Sequence, residues 1–116
     1  MTDNPTNIEL VERMIQACKN IIFATSGLNS PNDVAKDVFA IENMETCLTI
    51  ILESYTSLTQ EGKEQLKNIS WNAIEDFKKA LCKQEKSDNE YRQLYRSCKD
   101  DIPTLQKKLE SELSTM

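Results

Sequence analysis

The chain has 116 residues, two of them glycine and three proline, with 39% hydrophobic and 28% charged side chains, the make-up of one ordered domain able to bury roughly two-thirds of its unfolded surface. The net charge of −5 sits in residues 1–60, where three basic side chains stand against eight acidic ones, while the remainder is balanced at eleven each. Binders of nucleic acid and of anionic membrane surfaces rely on clustered Lys and Arg, so the acidic balance argues against both, and the absence of histidine removes the usual general base and the commonest metal ligand.

The opening MTDNPTNIELVE has no basic region followed by an apolar stretch, and the longest clean apolar run is Ile21 to Ala24. Neither a signal peptide nor a membrane span is expected, and a cytoplasmic or nuclear location follows. Thr6-Asn7-Ile8-Glu9 reads as a capping box that starts a first helix. Ile8, Val11, Ile15, Cys18 and Ile22 form one apolar stripe, and Leu10, Met14, Ala17, Ile21 and Ala24 an adjoining one. Together they span about 200° of the helix, wider than a surface helix usually needs. Glu9, Glu12, Arg13, Gln16, Lys19 and Asn20 fill the remaining arc.

Ser26-Gly27 predicts the end of that helix, with Gly27 in a left-handed C-cap. Ser30-Pro31 opens the second, Ser30 as N-cap and Pro31 in the first turn, where its missing N–H costs nothing. The connection is short, so the first two helices should be antiparallel neighbours. The second carries Ile41, Met44, Leu48, Ile51, Tyr55 and Leu58 in strict three-four spacing, with Val34 a heptad earlier. This is the strongest periodic signal in the chain.

Thr59 is a plausible N-cap for a third helix from Gln60, with the stripe Leu66, Ile69, Ala73, Ile74, Phe77, Ala80 and Leu81. The stripe is lost in the all-polar stretch from Lys83 to Glu90, where Ser87-Asp88-Asn89-Glu90 is a second capping-box match. A turn is expected near Lys86 and a fourth helix from Asp88, one unbroken helix being the alternative. Apolar residues then recur at Tyr91, Tyr95, Cys98, Ile102, Leu105 and Leu109, across Pro103. Proline inside a helix costs roughly 3 kcal/mol but little in a first turn. The fourth helix is therefore expected to end near Asp100, and a short fifth, Ile102 to about Ser114, to start anew behind Asp100 and Asp101.

The two glycines lie 35 positions apart and cannot form a phosphate-cradling loop, so an enzyme is not expected, and no cofactor. Cys18, Cys47, Cys82 and Cys98 fall in different predicted helices with no C-x-x-C knuckle, which favours buried apolar thiols over a metal site. Lys78, Lys79, Lys83 and Lys86 form the nearest thing to a basic patch, but Glu75, Asp76 and Glu85 are interleaved with it, as on a solvated helix face.

Partner-binding residues are sought among side chains outside the stripes. Phe39 and Ile50 are eleven residues apart, about 20° from each other on the face opposite the heptad. Trp71 sits on the flank of the third helix. Ile102, Leu105, Leu109 and Leu113 form a narrow seam that either folds back or meets another chain.

The resulting expectation is an all-α fold: an antiparallel bundle of four helices in residues 1–101, with a short C-terminal helix, 102–116, packed on it or extending from it. Deleting that last helix should then spare the bundle. Its function would be that of a non-enzymatic protein-interaction module, or a small helical subunit of a larger assembly, acting through a protein partner or self-association. The alternative is a regulatory bundle holding a small ligand or metal in its core, lined by the cysteines or by Tyr55, Tyr91 and Tyr95.

Overall fold

Helix α1 (Asn7–Ala24) begins as the capping box dictates: the Thr6 hydroxyl accepts from the Glu9 N–H at 3.1 Å, and the Glu9 carboxylate accepts from the Thr6 N–H at 3.4 Å. The computed structural model describes residues 6–116, and every regular element in them is helical. After α1 come α2 (Pro31–Lys36), α3 (Val38–Ser57), α4 (Gln60–Gln65), α5 (Trp71–Cys82), α6 (Asp88–Arg96), a π-helical turn (Ser97–Asp101) and α7 (Ile102–Leu113).

The wide apolar face of α1 is used on two sides. Leu10, Val11, Met14, Ala17, Cys18 and Ile21 are all buried, because α3 packs against one flank of the helix and α7 against the other. The Asn7 side chain donates to the Thr59 hydroxyl at 2.7 Å and accepts from the Thr59 N–H at 3.1 Å, so the start of α1 lies beside the end of α3 and the two run antiparallel. α5 packs on the far side of α3, and α2 on α6.

Three boundaries ahead of α6 differ from the sequence expectation. α1 does not end on a left-handed glycine: no glycine among the described residues has a positive φ. Instead buried Thr25 caps it, its hydroxyl donating to the Ile21 carbonyl at 2.8 Å, while the Lys99 ammonium, from the π turn, donates to the Thr25 carbonyl at 2.6 Å. The expected second helix is two. Asp37, at φ −106° and ψ 87°, leaves helical geometry and caps α3 by accepting from the Ala40 N–H at 2.9 Å. The expected third helix is also two: α4 ends at Gln65, and Ser70 takes ψ 79° before α5. Leu66 and Ile69 are buried in the intervening turn, so an apolar spacing that reads as one stripe is carried by a loop and two short helices.

The Ser87 box starts α6 as its sequence predicts, with Ser87 and Glu90 exchanging bonds of 3.2 and 2.9 Å. Pro103 lies in the first turn of α7, as the sequence predicts, but the chain ahead of it stays helical instead of ending near Asp100. The Ile102 N–H reaches back five residues to the Ser97 carbonyl, closing a π turn, and α7 follows with Asp101 in helical geometry and without a side-chain cap bond. A π turn inserts one extra residue into the helix, which relieves the clash a proline ring makes with the preceding turn. The Thr104 hydroxyl donates to the Asp100 carbonyl at 2.8 Å, so a side chain serves a carbonyl beside the proline.

Candidate functional site

The C-terminal seam belongs to the interior. Ile102, Leu105 and Leu109 are 1%, 5% and 0% exposed, packed with Leu94 and Cys98 in the same core as α1, and Leu113 packs against it half-buried. The Gln65 amide fastens the far end by donating to the Glu112 carbonyl at 3.3 Å and to the Thr115 hydroxyl at 2.8 Å. Once α1 has buried the face turned to α3, the rest of its wide apolar face still needs cover, and α7 packs against it. Ile102, Leu105 and Leu109 are thus covered within the chain, with Leu113 at the margin of the core.

Trp71 is tied inward as well. Its ring stacks on Tyr55 of α3 with centroids 4.2 Å apart and planes at 28°, and its indole N–H donates to the Leu66 carbonyl at 3.1 Å. The tryptophan closes the α4–α5 turn rather than reaching outward. Tyr91 and Tyr95 lie elsewhere, under Lys86 and Lys99 at 6.0 and 5.9 Å, so the three tyrosines do not line one site. Cys18, Cys47 and Cys98 are buried and Cys82 is exposed. Burial, with smaller contributions from Cys47 and Glu110, pushes the Cys18 thiol up to about 12, and burial also raises Cys47 and Cys98. Among the described residues no three Cys, Asp or Glu side chains cluster to hold a metal, and no helix is long and apolar enough to cross a membrane.

What remains outside is the face formed by α1 and α3 together. Phe39, in the first turn of α3, is 83% exposed, Val38 beside it 60%, and Ile50 38%. Phe23, which no sequence stripe singled out, is 84% exposed near the end of α1. Its signal was present as an intrusion. At 100° per residue Phe23 is in phase with Glu12, Gln16 and Lys19, in the middle of the polar arc, and a phenylalanine there cannot reach the core. The antiparallel pairing brings the end of α1 and the start of α3 to the same end of the molecule.

Between the two helices runs a groove of 470 Å³ with Leu10, Ala17, Ile50 and Ser54 along it and Arg13 and Glu53 among its polar rim. The small side chains Ala17 and Ser54 keep it open. A second cavity, of 460 Å³, lies where the chain turns from α1 to α3, lined by Gly27, Leu28, Val38 and Phe39 with Asp33, Lys36 and Asp37. The surface thus combines aromatic and aliphatic side chains with carboxylates and amides. No protein-family model, no curated protein and no solved structure matches this chain.

Proposed function

We propose that the chain is a non-enzymatic protein-interaction module of the cytoplasm or nucleus, which engages a partner through the outer face of α1 and α3. Phe23 and Phe39 are its anchors, with Val38 and Ile50 extending the contact. The observation that carries this reading is the pair of phenylalanines, each more than four-fifths exposed, at the same end of two adjacent helices. Large aromatic side chains held out in water become strong contacts when a partner desolvates them, and clustered exposed apolar groups mark such surfaces more often than scattered ones do.

The test uses the double variant Phe23→Ser/Phe39→Ser beside the parent protein. The variant should keep its helical circular dichroism and its unfolding midpoint, and fail to retain the partner that the parent captures from a cell extract. Equal capture by both proteins would remove this face from consideration.

A further inference from the structure

The lysines of α5 frame a groove on the other side of α3. Lys78, Lys79 and Lys83 line it with Leu52 of α3 and with Glu75 and Cys82, around a volume of 510 Å³. Lysine stems are apolar and their ammonium heads point to water, so this groove is greasy within and positive at its rim. Lys83 is bonded to the Glu90 carboxylate at 2.6 Å, whereas among the described residues Lys78 and Lys79 form no ion pair. In a chain of net charge −5, a groove whose rim has three lysines to one glutamate is a local inversion.

The opposite combination stands at the start of α3. Phe39 projects into solvent, Asp33 and Asp37 share its cavity with Lys36 as the single base, and Glu42 follows one turn on. Three carboxylates and one lysine there stand against Lys78 and Lys79, the two groove lysines outside any ion pair among the described residues, and Glu75, and the groove volume of 510 Å³ exceeds that of a phenylalanine side chain. Phe39 and Leu52 lie about 20 Å apart along α3 and about 140° apart around it, so a molecule cannot fill its own groove.

We propose that a second copy of this chain fills it: Phe39 of one molecule enters the groove between Leu52 and Cys82 of the next, with Asp37 and Glu42 against Lys78 and Lys79. This rests on the reading of Phe39 as a partner contact and names that partner. The contact is heterologous, knob to hole, and each added molecule leaves one knob and one hole free, so assembly continues with concentration. The charge pairs lie at the rim, where salt screens them.

Sedimentation of the full chain over a concentration series, at low and at high salt, tests it. The parent protein should associate progressively, less so at high salt. Phe39→Ser, which removes the knob, and Lys78→Glu/Lys79→Glu, which inverts the hole, should each weaken association about tenfold or more. Should the double lysine variant fail to fold, Lys79→Glu alone takes its place. Mixed together, the two variants should form a one-to-one dimer and grow no further, since one keeps the hole and the other the knob. A parent protein that stays monomeric, or a mixture that yields no dimer, overturns the proposal. Either result leaves the broader Phe23 and Phe39 reading to the extract capture described above, which does not depend on self-association.

Discussion

Ile102, Leu105 and Leu109 and the pair Phe23 and Phe39 are alike in chemistry and opposite in fate. The first set follows the phase of Leu94 and Cys98, and α7 lays it on the exposed flank of α1, where it is at most 5% exposed. The second set interrupts polar arcs, so no rotation of α1 or α3 can bury it without expelling a buried stripe. Apolar character therefore says little about where a residue ends up in this molecule, and phase relative to its helix neighbours says nearly everything.

The largest effect that would break this comparison lies in the seam. Removing residues 102–116 should unfold the chain, because it strips α1 of cover that Ile102, Leu105 and Leu109 provide. Leu109→Ala, a truncation at a fully buried position, should cost about 2–5 kcal/mol in urea unfolding. Stability retained in either would return the seam to the surface.

A smaller cost is expected at Gly62, where an added Cβ would come within 2.8 Å of the Asn7 side chain. That side chain makes the two bonds to Thr59 that align α1 with α3. Gly62→Ala gains about 1 kcal/mol of helix propensity but disrupts two bonds of about 1 kcal/mol each. A net loss of about 1 kcal/mol in the same assay is the outcome, and Asn7→Ala should remove most of the penalty of the second substitution.

Phe23→Ser and Phe39→Ser each belong at the bottom of the scale, within about 0.5 kcal/mol of the parent. A loss as large as that of Leu109→Ala would place them in the core and void the contrast. The thiols offer an independent reading of burial. In the native protein a thiol reagent should modify Cys82 rapidly, and Cys18, Cys47 and Cys98 only upon unfolding, because burial holds their thiols protonated.

The smallest effect is electrostatic and separates α6 from the core. The bond from the Lys83 ammonium, together with the Ser87 N–H, lowers the Glu90 carboxyl from 4.5 to about 2. A folded-state value below the unfolded one contributes stability that is fully present above pH 4.5 and is lost as the pH falls through about 2. Glu90→Gln should flatten the acid limb of the stability profile over that window, lying slightly below the parent at neutral pH and meeting it below about pH 2.

Much of the helix content was legible locally. Two capping boxes, at Thr6 and Ser87, and N-caps at Ser30 and Thr59 sit where their sequences place them, since a side-chain oxygen three residues from a free N–H needs no tertiary partner. The all-α class followed from the stripes. The breaks at Asp37 and from Leu66 to Ser70 did not, because each interrupts a stripe that remains apolar on both sides. Only packing, with α2 on α6 and Trp71 on Tyr55, selects the bend over a continuous helix.

By itself, then, the sequence determined where α1, α2, α4 and α6 begin and which residues the helices could hide, because caps and periodicity act over a single turn. The tertiary structure alone decided what the hidden faces meet. It gave the second flank of α1 to α7, joined α6 to α7 through a π turn ahead of Pro103, turned Trp71 inward and left Phe23 and Phe39 outside. Those outcomes depend on competition among faces for a limited interior, and that competition is settled only when all the helices are assembled.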